Sequence, residues 1–160
     1  MNDLISIAEE RINQCYSIAN GFFNQHFPLP TVSLNQRGKI AGSANFQRNH
    51  IKLNPVLFSE NRSVFESEVI PHEVAHLITY HLYGKVKPHG KEWQNIMTQV
   101  FYLPATATHQ LCVKNVQGKT FSYKCDCQTI SLTVRRHNKI IRGESQYRCK
   151  RCNAVLVAAG

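Results

Sequence analysis

The sequence predicts an α+β chain in two parts: a body of helices plus a small antiparallel sheet over residues 1–110, and a cysteine-bearing β-hairpin module over 111–160. Three observations carry this. Apolar residues recur at spacings of three and four in three segments, as helices packed on a core require. Between the first two of these segments lie three short strand-like runs separated by turn residues. Four of the six cysteines stand in two close pairs near the C-terminus, on either side of an alternating segment. A chain of 160 residues can bury one ordinary core and carry a small module besides.

Residues 3–24 form the first predicted helix, with Leu4, Ala8, Ile12, Cys15, Ala19 and Phe22 as its apolar stripe and Asp3 as its N-cap. Pro28 and Pro30 stop it. Strands are expected at 31–34, 40–46 and 50–54, most simply as an antiparallel sheet. Gly42 in the second strand marks a bulge or a close approach of another group. Residues 62–82 read as a helix that either restarts at Pro71 or bends there, and Gly84 ends it. Residues 90–102 form a third helix with Trp93, Ile96, Met97, Val100 and Phe101 on one face, closed by Pro104. Residues 105–120 read as a linker. Over 121–157 a hairpin is expected, with Ile130, Leu132 and Val134 on its inner face.

The composition, 42% hydrophobic and 18% charged, excludes a disordered chain. No apolar run approaches the ~20 residues of a membrane span. MNDLISIAEE lacks the basic-then-apolar order of a secretory leader. Paired cysteines without a leader fit metal binding in a reducing compartment, so a cytoplasmic, monomeric protein is expected. The net charge is +9; from residue 111 onward ten Lys and Arg face two acids, leaving the body near neutral. A basic module of that kind suits a polyanion.

His72-Glu73-Val-Ala-His76 carries the chemistry. Two histidines four apart on a helix point the same way, and both can reach one Zn²⁺ at about 2.0–2.1 Å. Glu73 can face a water at that ion and take its proton. Chance supplies only about 0.02 such motifs in a chain of this composition. A catalytic site needs a third ligand, and His81, His89, Glu92 and His109 are the downstream candidates. His81 points away from the metal face. His89, in Pro88-His89-Gly90 where the next helix begins, is favoured, with Glu92 its rival. No oxyanion stabiliser is evident; Tyr80, Tyr83 and His81 are near only in sequence.

Cys125-Asp-Cys127 and Cys149-Lys-Arg-Cys152 make the two knuckles of a zinc ribbon, a closed structural site. The first knuckle is one residue tighter than usual, which leaves His137 or Cys112 open as a substitute ligand. Arg135, Arg136, Lys139 and Arg142 on the hairpin, with Arg148, Lys150 and Arg151 at the second knuckle, can track a phosphate backbone. Tyr123 and Tyr147 can stack on unpaired bases or pack beside the knuckles.

VIPHEVAHLITYHLYGKVKPHGKEW, followed by YKCDC, TVRRHNKIIRGE and YRCKRCN, resembles the bacterial SprT family along nearly the whole chain. That family is similar to the Spartan proteases of eukaryotes, which degrade proteins trapped on DNA. The resemblance implies a zincin-like metallopeptidase core over 1–110 with His72, His76 and His89 as zinc ligands and Glu73 as the catalytic residue. It also implies a zinc ribbon over 111–160 held by Cys125, Cys127, Cys149 and Cys152, and protein substrates associated with DNA, with DNA, single-stranded DNA included, as the expected partner. Two zinc ions per chain, one catalytic and one structural, are therefore expected. The competing expectation is a non-catalytic, zinc-containing nucleic-acid-binding or transcription-related protein.

Overall fold

The computed structural model describes residues 2–109, 111 and 118–159; Cys112, raised above as a substitute ligand, lies outside the described residues. The chain divides into two compact units, Met1–Val116 and Gln117–Gly160.

The first unit opens with α1, Asn2–Phe23, which buries Ala8, Ile12, Cys15, Tyr16 and Ala19. Phe22 departs from the expected stripe: it is more than half exposed, and Phe23 packs on the core instead. Asp3 lies inside the first helical turn rather than at the cap, where its charge still complements the helix dipole. Strands β1 (Thr31–Ser33), β2 (Gly42–Asn45) and β3 (His50–Leu53) form one sheet in the order β1-β3-β2. The expectation of an antiparallel sheet is corrected here. A short turn makes β2 and β3 an antiparallel hairpin, but the longer segment after β1 lets that strand join the far side of β3 in parallel.

Helix α2 (Pro55–Glu60) is capped by Asn54, whose Oδ1 accepts from the N–H groups of Val56 (3.1 Å) and Leu57 (3.2 Å). The Asn54 amide also donates to the Gly38 carbonyl (2.8 Å), so one buried side chain ties the segment before β2 to a helix end.

A short helix, α3 (Arg62–Val64), runs through a π-helical turn at Phe65–Val69 into α4 (Ile70–Tyr83). This continuous path resolves the Pro71 question. Pro71 has no N–H to return to the π-turn carbonyl of Glu66, and Arg11 Nε donates to that carbonyl at 2.6 Å instead. Helix α4 is buried nearly all round by α1, β2 and the third helical segment, and it ends where the Gly84 N–H returns to the Tyr80 carbonyl (2.8 Å). That third segment, α5 (Lys91–Asn95) plus a second π-turn (Ile96–Val100), buries Trp93, Ile96, Met97 and Val100.

In the second unit β4 (Thr120–Lys124) pairs antiparallel with β5 (Thr129–Thr133), and β6 (Val157–Ala158) joins the other side of β4. The hairpin stops earlier than expected. Val134 starts a helix, α6 (Val134–Ile141), capped by Thr133, whose hydroxyl accepts from the Arg136 N–H. Arg135, Arg136 and Lys139 therefore sit on a helix rather than a strand, with Arg142 at its C-terminal cap. The apolar core of this unit is small: Tyr123, Leu132, Cys149 and Leu156. No helix among the described residues is long and apolar enough to cross a membrane.

Candidate metal centre

Helix geometry places His72 and His76 one turn apart on α4, and a strained loop delivers His89 to them. The Nε2 atoms lie 3.1 Å (His72–His76), 3.1 Å (His76–His89) and 3.0 Å (His72–His89) apart. His89 has φ +59°, in the left-handed region that non-glycine residues seldom occupy. Its loop is pinned on both sides: the Gln94 amide donates to the His89 carbonyl (2.9 Å), and the Gly90 N–H donates to the Lys87 carbonyl (3.0 Å). A Cβ at Gly90 would lie 2.9 Å from that same carbonyl, so the tight turn requires glycine. Trp93 is the floor. Its indole N–H donates to the His72 carbonyl (3.2 Å), and its ring lies 4.7–5.5 Å from all three imidazoles.

Hydrogen bonding does not account for this triangle. A neutral imidazole offers one N–H, and three Nε2 atoms facing one another leave lone pairs opposed. A cation satisfies all three: tetrahedral ligands at about 2.0–2.1 Å stand about 3.3–3.4 Å apart, close to what is seen. Burial pushes His72 down to about 3, helped by the neighbouring His76, His109 and His89 rings, and pushes His76 down to about 4, helped by His89. The rings are thus neutral, the form that binds metal, at pH 7. The same shifts cost metal-free protein stability as pH falls below about 6.5, because the unfolded chain takes up protons that the folded one refuses. His72 Nδ1 is buried without a well-formed hydrogen bond; the Thr106 backbone is the one neighbour that favours the charged ring.

Glu73 is 6% exposed, and burial pushes it up to about 8. It lines a cleft of about 560 Å³ with the three histidines, Lys39–Ala44, Phe46 and Ala107–His109. Gly42 lets β2 come this close: a Cβ there would sit 3.1 Å from Leu53 and the Lys52 carbonyl, and 3.5 Å from Glu73 Cγ. Of the other ligand candidates, Glu92 and His81 stand outside the converging group, among the described residues. His109 is the surprise. Its ring packs 4.9 Å from that of His72, its Nδ1 meets Glu68 Oε2 at 3.4 Å, and it lines the cleft without joining the three donors. No local motif marks that role, since 36 residues separate it from His72.

In the second unit Cys125, Cys127, Cys149 and Cys152 bring their sulfurs within 4.8 Å of one another. Two of the separations are 3.5 Å (Cys125–Cys127) and 3.7 Å (Cys127–Cys149), against about 3.8 Å for tetrahedral thiolates at 2.3 Å from zinc. Backbone N–H groups of Cys152 and Arg151 and the Gln128 amide point at Cys149 Sγ, and with them its thiol is pushed down to about 6. His137 is no substitute ligand: it stacks on Phe121 (3.7 Å) and pairs with the Tyr123 hydroxyl (2.8 Å).

Residues 12–109 match the SprT-like family, and residues 119–160 match the SprT-like zinc ribbon domain. The chain belongs to the SprT-like family. Protein SprT of Vibrio atlanticus is 53% identical over 94% of this chain and 91% of its own, and that of Vibrio parahaemolyticus 51% over 96% and 93%. Protein SprT of Yersinia pestis is 50% identical over 92% and 89%. No solved structure matches the chain. Both donor clusters of this SprT-like chain fall within the matched segments, and the C-terminal unit is a zinc ribbon domain.

The basic residues of the ribbon are not equivalent. Arg142 makes a two-pronged pair with Glu144 (2.9 and 3.1 Å), Arg148 donates to the Asn153 carbonyl (3.0 Å), and Arg136 lies over the Tyr147 ring (5.6 Å). Arg135, Lys150 and Arg151 are exposed, and Lys139 is half-buried. Tyr123 is buried and cannot stack on a base; Tyr147 is half-buried.

Proposed function

We propose that this chain is a zinc metallopeptidase with a zincin-like core over its first 110 residues, acting on DNA-associated proteins in the cytoplasm, and that its basic zinc ribbon over 111–160 binds DNA. The observation that carries the reading is a buried carboxylate, Glu73, in one cleft with three converging imidazoles. His72, His76 and His89 would hold the ion; bound there, zinc supplies Lewis acidity toward a carbonyl oxygen and acidifies water. Glu73, buried in the same cleft, would accept a proton from the attacking water on its carboxylate and return it to the leaving amine. Trp93 and the pinned loop keep the imidazoles in register, and β2 forms the wall against which a peptide can lie. An open position for water is supported by the donor set, since the converging donors among the described residues number three.

The test is cleavage of an unstructured protein with and without single-stranded DNA, plus a chelator control. Cleavage that the chelator stops and DNA raises is expected; chelator-insensitive cleavage, or none in zinc-loaded protein, removes the enzyme reading. His109, held by Glu68 beside the cleft, suits the developing oxyanion. His109→Ala is expected to lower kcat about 100-fold, as loss of one such donor does, with zinc content and KM near the parent's. If that variant loses its zinc, His109 is a ligand instead.

A further inference from the structure

The near-neutral body conceals a segregated charge. Residues 37–52 contain Arg37, Lys39, Arg48 and Lys52 and no acid, and residues 74–91 contain Lys85, Lys87 and Lys91 and no acid. The acids of the body gather on α1 (Asp3, Glu9, Glu10) and over residues 60–73, with Glu92 the exception. The two acid-free stretches meet at the cleft. Lys39 lines it along with β2, Pro88 and His89. Lys85 and Lys87 line an adjoining hollow that shares Phe46, His76 and Pro88 with it. Lys39, Lys85, Lys87 and Lys91 are all exposed, and none takes part in an ion pair among the described residues.

Like charges grouped this way repel one another, and among the described residues none of the four lysines is held in an ion pair, although Glu92 directly follows Lys91 in the chain. Inside the cleft the one acid among the lining residues is the buried Glu73, and Ile40, Ala41, Ala44, Phe46 and Ala107 make much of its wall. An acidic peptide drawn into the cleft would bring its carboxylates against that apolar wall. A phosphate backbone crossing the mouth would meet the lysines alone. Lysine is a flexible point charge, suited to tracking phosphates rather than to gripping a carboxylate in fixed geometry.

We infer that Lys39, Lys85 and Lys87, at the mouth of the metal cleft, form a second nucleic-acid contact on the body itself, with Lys91, two residues after His89, extending it. The inference rests on the reading of this chain as a DNA-binding protein and adds where on the body DNA is held. A protein joined to that DNA would then present its backbone next to Glu73.

The experiment measures binding of a labelled single-stranded oligonucleotide across salt concentrations, in the full zinc-loaded chain. The variants are Lys85→Glu/Lys87→Glu/Lys91→Glu, its alanine counterpart, and a ribbon variant, Arg135→Glu/Lys139→Glu/Lys150→Glu/Arg151→Glu. Each phosphate contact contributes about 0.7 to the slope of log K against log salt. Three lost contacts should lower its magnitude by about 2 and weaken binding at least tenfold near 0.1 M salt, with two zinc ions retained. The alanine variant, which only removes charge from exposed positions, should show the same loss of slope even if the glutamate variant folds poorly. A parent-like slope in the alanine variant, with binding lost in the ribbon variant, overturns the inference and leaves the DNA reading intact. A parent that shows no salt-dependent DNA binding sinks the DNA reading and the inference with it. A parent-like slope accompanied by weaker binding of polyglutamate assigns the lysines to acidic peptides and overturns the inference.

Discussion

Glu73→Gln is expected to keep both zinc ions and to lose peptide-bond cleavage by about 10²–10⁴-fold, the usual contribution of a general base. Glutamine has the same shape and fits the same buried slot beside Gly42, but its amide cannot accept the proton of the attacking water. The check pairs turnover with zinc analysis of the same sample, and parent-like turnover in a zinc-loaded variant would refute the mechanism. A second readout isolates the side chain. Burial raises Glu73 from 4.5 to about 8, so in metal-free protein its contribution to stability is complete below about pH 4.5 and lost as pH rises through 8. The thermal midpoint of the metal-free parent should therefore fall relative to that of Glu73→Gln between pH 5 and 8. Parallel curves for the two proteins would mean that Glu73 is not buried as described.

Cys149→Ser is expected to unfold the ribbon while the body stands. Cys149 is itself one of the four buried residues of a core too small to hold a module of some forty residues. In structural zinc sites the metal supplies about 10–16 kcal/mol of apparent binding free energy, and that binding is the folding free energy of the module. Serine removes one thiolate and leaves the backbone N–H groups of Cys152 and Arg151 without the sulfur they point at. Zinc content should drop from two to one per chain. Amide exchange should become fast in β4 and β5 and stay slow in α4. Retention of both ions with β4 and β5 still protected would show that the ribbon folds by its apolar core alone.

How far the sequence could be read depended on how local each feature is. The His72–His76 pair was legible because a helix fixes what four residues of spacing mean. The cysteine knuckles were legible for a similar reason, each being complete within four residues. His89 was legible in part, since a loop leading into an antiparallel helix brings its ring back, but the left-handed backbone that aims it was not. Arg11, which fills the hydrogen bond that Pro71 cannot make, meets a partner 55 residues away. Hydrophobic period carries no trace of such a pairing. The mixed sheet was missed because strand-like runs look alike whichever neighbour they pair with; the length of the connection after β1 decided it. Val134–Ile141 was read as strand because alternation over 129–134 extends naturally, and Thr133 as a helix cap is a one-residue signal.

Composition and spacing alone therefore specified two metal-ready donor sets, a helical body and a basic cysteine module, because each depends on residues near one another along the chain. Packing alone determined which histidines share a point in space, that Glu68 and His109 stand beside them, and that Lys39 lines the cleft while Lys85 and Lys87 line the hollow adjoining it. Those relations are distances between remote segments. They come into being only when burial of the apolar faces draws the segments together.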